Sequence, residues 1–210
     1  MAIILNIETA TKNCSVSIAD NGVVKAIKEL NNGNYSHAEV LHSFIVAVLK
    51  EASINLNQID AVAVSKGPGS YTGLRIGVSA AKGLSFSLNI PLISIDTLTA
   101  LSLSNPIKQG LIVPMLDARR MEVYSAIFSL KLDKIREVQA EILTENSFEG
   151  ISETIHFVGD CTEKAKTVLT NSNFIFHEEI IYPSANEMGA LSYQKSVSYT
   201  HLTLPTNREV

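Results

Sequence analysis

Tryptophan is absent from these 210 residues, and there are only two cysteines, Cys14 and Cys161, far apart and without Cys-x-x-Cys spacing. A disulfide framework and a structural zinc site both need more than that, so a reducing, cytoplasmic setting is expected. Charge is sparse too: 18% of residues carry it, 17 basic against 21 acidic, for a net −4. Such a chain has no field for gripping nucleic acid unaided, so any RNA is expected to be held mainly by another molecule. No stretch reaches the roughly 18 apolar residues of a membrane span. The opening Met-Ala-Ile-Ile-Leu-Asn-Ile-Glu has no basic start and is interrupted by Asn6 and Glu8, which reads as a strand rather than a signal peptide. What the chain has is apolar content, 46%, enough for one ordinary globular domain or two small ones.

The pattern opens with strands over 3–7, 15–19 and 23–30, the last two joined by Asn21-Gly22, a strong hairpin signal. Ser36 with Glu39 three residues on forms a capping-box signature for a helix to about Lys50. A strand over 61–65, the loop Lys66-Gly-Pro-Gly-Ser-Tyr-Thr-Gly73, a helix over 74–88, a strand over 91–95 and a short helix over 97–103 follow. This order, β-β-β-α-β-α-β-α, predicts an α/β fold of the ribonuclease H-like kind. Asn105-Pro106 marks a boundary, after which the pattern restarts with strands over 110–116, 122–129, 138–143 and 155–158, a helix over 162–169 and a strand over 174–176. Two lobes are therefore expected, residues 1–104 and a smaller 105–183, with a helix beginning over 184–195 that returns to the first. Residues 196–210 abandon every period and resemble translated adapter sequence, so they are expected to lie outside the native fold.

The glycine-rich loop resembles a phosphate cradle but fails the known spacings. A dinucleotide fingerprint starting at Gly67 needs glycine where Thr72 stands, and a Walker loop needs Lys-Ser/Thr where Leu74-Arg75 follow Gly73. Gly67, Gly69 and Gly73 are read first as residues of tight turns and close packing. His37 and His42 are five apart, about 140° around a helix, so they cannot share a metal as i,i+4 histidines do; His156, His177 and His201 are scattered, and no metal site is expected. Gly-x-Ser-x-Gly is absent around Ser70, and Cys14 reads as a small buried hydrophobe. Glu8 and Asp117 end matching strands of the two lobes, the places that face phosphates and magnesium in actin-like ATPases. Yet Thr9-Ala-Thr-Lys-Asn13 lacks the glycines of a phosphate loop, and Asp160 is the remaining acidic candidate.

The two helices of the first lobe carry the stronger signal. Over 36–50, Ala38, Val40, Leu41, Phe44, Ile45, Val46, Ala47, Val48 and Leu49 cover more than half the circumference, wider than the stripe needed to lie on one sheet. The second adds Gly73, Gly77, Ala80, Ala81 and Leu84, a smooth ridge that admits a neighbouring helix. A partner interface is expected at Val40, Leu41, Phe44, Ile45, Val48, Gly73, Gly77, Ala80, Ala81 and Leu84. The other reading is that the second lobe or the last helix covers them.

The stretches Asn6 to Ile18, Tyr35-Ser-His-Ala-Glu-Val-Leu41, Lys66 to Gly77, and Asp117-Ala-Arg119 followed by Glu122-Val-Tyr124 resemble the TsaB (YeaZ) family, over residues 1 to about 195. The resemblance implies two ribonuclease H-like lobes of the actin-like ATPase superfold. It implies a bacterial subunit in the making of N6-threonylcarbamoyladenosine beside the anticodon of tRNA. It implies pairing with the catalytic subunit TsaD through the two first-lobe helices, with the ATPase TsaE joining them. ATP and metal are then expected on those partners and none on this chain alone, with tRNA met only through the complex. Glu8, Asp117, Gly67, Gly69 and Arg75 would be vestigial nucleotide-facing positions, and no catalytic residue is assigned. Family chains continue beyond the point where this one loses its pattern. The alternatives are a stand-alone actin-fold ATPase or transferase acting through Glu8 and Asp117, and a homodimer through the same helices.

Overall fold

The computed structural model describes residues 2–33, 36–104 and 107–200, apart from the side chains of 199 and 200. The expected boundary at Asn105-Pro106 and residues 201–210 of the expected tail lie outside the described residues. Two five-stranded mixed sheets share one topology. In the first, β1 (Ile3–Glu8) is central, with β2 (Cys14–Asp20) antiparallel to it on one side and β3 (Val23–Leu30) antiparallel to β2, and with β4 (Ala61–Ser65) and β5 (Leu92–Ile95) parallel on the other. In the second, β6 (Leu111–Asp117) is central, with β7 (Glu122–Phe128) antiparallel to it and β8 (Lys134–Ile142) antiparallel to β7 on one side, and parallel β9 (Ile155–Val158) and β10 (Phe174–His177) on the other. The duplicated order is that of paired ribonuclease H-like lobes, as in the actin-like ATPases.

Both faces of β1 are buried, which is why it reads as a nearly continuous apolar run. Leu5 and Ile7 pack with Leu41, Ile45, Val48 and Ala81 of α1 (His37–Glu51) and α2 (Tyr71–Leu88). Ile4 packs on the opposite face with Ala185 and Met188 of α5 (Ala185–Thr200). Between the sheets, α3 (Thr97–Leu103) is shared: Ala100 joins the first lobe's core, and Leu98 and Leu101 join Ile112, Leu116 and Phe128 of the second. A short α4 (Thr162–Lys166) packs Ala165 against Phe157 and Leu169.

Several elements depart from expectation for identifiable reasons. Ser36 caps α1 in position only: its ψ of 15° is not the extended geometry that lets a cap side chain reach the first turn, and no such bond forms. The second helix begins three residues early, because Ser70 Oγ accepts from Gly73 N at 3.3 Å and turns Tyr71–Gly73 into its first turn. The last helix continues through Thr200, five residues into the stretch expected to lie outside the fold. There Ser196 and Ser198 donate to the carbonyls of Tyr193 and Gln194, the back-bonding by which serines are accommodated in helices.

The glycines Gly73 and Gly77 of α2 serve chiefly the chain's own β1–β2 loop, with His37 at the start of α1 also close to Gly73. A Cβ at Gly73 would stand 2.2 Å from Thr9 O, and one at Gly77 would stand 2.2 Å from Thr9 Oγ1. Gly83, on the same helix, faces open space. Gly73→Ala should therefore destabilise by about 2 kcal/mol or more through forced displacement of the loop. Gly83→Ala should stabilise by up to about 1 kcal/mol through helix propensity alone. Urea denaturation of both variants checks this, and equal effects of one sign would contradict the packing.

Candidate functional site

A cleft of 650 Å³ opens between the lobes, lined by Ala10 and Thr11 from the β1–β2 loop, Gly69 to Thr72 at the start of α2, and Asp117, Arg119, Tyr124 and Asp160 from the second lobe. Asp117, at the end of β6, is ion-paired with Lys164, whose Nζ also donates to the carbonyls of Arg120 and Glu122 at 2.9 and 2.8 Å. Those bonds hold a hairpin in which Arg119 and Arg120 both have positive φ, 75° and 49°. The Asp160 carboxylate accepts from Asp117 N at 2.8 Å, and burial raises its pKa.

Of the expected nucleotide-facing residues, Asp117 and Gly69 line this cleft; Glu8, Gly67 and Arg75 do not. Glu8 is fully buried at the end of β1, where its Oε1 accepts from Ala10 N at 2.6 Å and from Ser65 Oγ at 2.8 Å. Gly67 is buried, with Leu74 Cδ1 3.3 Å from where its Cβ would lie. Arg75 lies on the outer side of α2 and stacks on the Tyr71 ring, 3.8 Å from its centroid. Of the acidic pair in the enzyme alternative, Glu8 is thus buried in the core and Asp117 is paired with Lys164 at the cleft.

A second concavity, a 740 Å³ groove, runs between α1 and α2 and is lined by His37, Ala38 and His42 on one side and by Tyr71, Arg75, Ile76, Ala80 and Leu84 among the residues on the other. Here the expected interface must be corrected. Leu41, Ile45, Val48 and Ala81 belong to the buried core, and Gly73 and Gly77 are covered by the β1–β2 loop, so none of these is offered to a partner. Val40 and Phe44 are half-buried against that core, while Ala80 and Leu84 are half-buried and line the groove. The wide apolar face of α1 arises because it packs on the sheet with several rows of side chains. What is truly exposed was missed: Phe86 is 91% accessible, Tyr71 69% and Val46 66%. Aromatics spaced outside the glycine ridge were the available signal.

The scattered histidines are not all apart. His156 Nδ1 and His177 Nε2 lie 3.0 Å from each other, and His177 Nδ1 lies 3.1 Å from Glu179, so β9 and β10 bring together residues 21 apart in sequence. His37 and His42 do not meet: the first is buried and the second exposed. His201 lies outside the described residues. Among the described residues no three His, Cys, Asp or Glu side chains form a group able to hold a metal ion. Cys14 is a buried, free thiol with its pKa pushed up to about 11 by burial, the opposite of a reactive thiolate. Among the described residues, no helix is long and apolar enough to cross a membrane.

Burial raises the Glu8 carboxyl from 4.5 to about 7, against the smaller opposing effect of its hydrogen bonds to Ala10 and Ser65. The folded chain then binds a proton that the unfolded chain releases above pH 4.5, so stability falls as pH rises from about 4.5 to about 7 and levels above it. The size is on the order of 3 kcal/mol at most. Glu8→Gln should lack this decline. Urea melts of both proteins at several pH values isolate it, since the buried histidines contribute equally to each; parallel curves would contradict the assignment.

Residues 32–199 match the family model described as TsaD, tRNA N6-adenosine threonylcarbamoyltransferase. Among curated relatives, the tRNA threonylcarbamoyladenosine biosynthesis protein TsaB of Buchnera aphidicola subsp. Schizaphis graminum is 30% identical over 200 residues, 89% of this chain and 90% of that protein. The TsaB of Haemophilus influenzae is 37% identical over 123 residues, a match that spans 58% of this chain and 51% of that protein. Among solved structures, YeaZ from Pseudomonas aeruginosa superposes with a TM-score of 0.83 at 20% identity, covering 95% of this chain and 94% of that one. With the duplicated lobes and the Lys66–Gly77 block in place, the chain belongs to the TsaB (YeaZ) family.

Proposed function

We propose that this chain is a non-catalytic subunit that docks through the α1–α2 groove onto a TsaD-type threonylcarbamoyltransferase. In that role it favours the partner's active state while N6-threonylcarbamoyladenosine is formed on tRNA. The observation that carries this is the groove itself, an open, largely apolar channel between two helices, with Tyr71 exposed in its lining and Phe86 exposed farther along α2, outside it. Large apolar side chains left in water at a concave surface favour association, because covering them releases about 25 cal/mol per Å². A subunit without chemistry of its own acts by binding one state of its partner more tightly than another, and only that difference shifts the equilibrium. The burial of Glu8 and the pairing of Asp117 with Lys164 favour this reading over a stand-alone ATPase or transferase. On this reading ATP and metal are held by the TsaD-type subunit and by a TsaE-type ATPase that joins it, and tRNA is met through the assembly.

A homodimer has one specific observation behind it. The match of residues 32–199 to the catalytic family's model means that chain and partner share a fold, so a face that receives one can also receive a second copy.

Phe86→Asp and Ser79→Arg alter exposed positions on α2 and should leave folding intact. Each is expected to weaken binding to a TsaD-type subunit at least tenfold, about 1.4 kcal/mol, with an unchanged melting temperature. Titration calorimetry of the chain alone with ATP and magnesium should give no binding heat. Retained co-purification in both variants would remove the docking face, and micromolar ATP binding with turnover would establish the enzyme instead.

A further inference from the structure

Tyr71 and Thr72 belong to two surfaces at once, lining both the α1–α2 groove and the interlobe cleft. One buried side chain crosses between those surfaces. His37, the first residue of α1, contributes to the groove, and its Nε2–H donates to the carbonyl of Thr11 at 2.8 Å, in the loop that lines the cleft. The same ring is wedged against α2: a Cβ at Gly73 would stand 3.2 Å from His37 Cδ2 and 3.3 Å from Nε2. From its other side the loop is tied to the start of α2, where Thr9 Oγ1 donates to Gly73 O at 2.8 Å and Ser70 N donates to Ala10 O at 2.6 Å. Close packing leaves the loop little room to move independently, since even a methyl group at Gly69 would lie 2.3 Å from Ala10 O. Thus α1, α2 and loop 9–13 meet at one imidazole.

We propose that His37 is a positioning residue that couples the groove to the cleft. Whatever seats between α1 and α2 sets the position of the first turn of α1, and His37 passes that to Thr11 and so to the loop forming one wall of the cleft. This rests on the docking reading above. Ala10 and Thr11 line the cleft and not the groove, whereas His37 lines the groove and bonds Thr11, so it is a direct contact from a groove residue to the cleft's loop. Coupling of this kind is reciprocal: a ligand that orders the loop would tighten docking by the same factor.

Amide hydrogen exchange of the full chain tests this, alone and with a TsaD-type catalytic subunit, for wild type, His37→Ala and His37→Gln. The glutamine variant keeps a side-chain N–H donor. In the free chain, His37→Ala should speed exchange over residues 9–13 at least tenfold and His37→Gln by no more than about threefold, with β4 unchanged in both as the sign of an intact fold. In wild type, the partner should slow exchange over both 72–84 and 9–13. In His37→Ala it should still slow 72–84 but no longer slow 9–13. Unchanged loop exchange in free His37→Ala overturns the proposal, as does loop protection by the partner that persists without the histidine. Absence of protection over 72–84 in wild type overturns the docking reading and the coupling with it, while the free-chain comparison still reports separately whether His37 holds the loop.

Discussion

The β1–β2 loop lies directly on the first two turns of α2, and the rest of the molecule's surface follows from that contact. It exists only because residues 69, 73 and 77 have no side chain: at each, a Cβ would fall within 2.3 Å of a loop atom. Pressed this close, the loop forms one wall of the interlobe cleft and fixes where α2 begins. The start of α2 in turn fixes the groove that separates it from α1. The groove on the first lobe and the cleft between the lobes therefore share a wall at Tyr71 and Thr72.

The chemistry of that neighbourhood is subdued. The carboxyl that ends β1 points into protein, with its charge disfavoured by burial, and the carboxylate that ends β6 is neutralised by Lys164. In the loop Thr9-Ala-Thr-Lys-Asn13 the Thr9 hydroxyl and the Ala10 carbonyl are bonded to the start of α2, and the Thr11 carbonyl accepts from His37. These polar groups hold the lobe's own parts together, as the proposed docking role requires.

Much of the fold was legible because its elements follow local rules. β3, β4, α3 and β9 fall where alternation, Asn21-Gly22 and short apolar runs put them, and the repeated strand order betrays the second lobe. The site was legible only in part. The apolar breadth of α1 was visible, but a pattern of hydrophobic residues does not say which are covered by the sheet, and Leu41, Ile45 and Val48 proved to be core. Glycines at helical spacing announce that something comes close without saying what; here it is Thr9, some 64 residues away in sequence from Gly73. Nor can the spacing of His156 and His177 reveal that parallel strands will set them side by side.

The most direct test of the central claim is reconstitution of threonylcarbamoyladenosine on tRNA by the TsaD-type and TsaE-type subunits with and without this chain. The account predicts negligible modification in its absence and full rescue by the Glu8→Gln chain, whose altered carboxyl takes no part in chemistry. Equal modification without the chain, or loss of activity in that variant despite normal binding and folding, would contradict it.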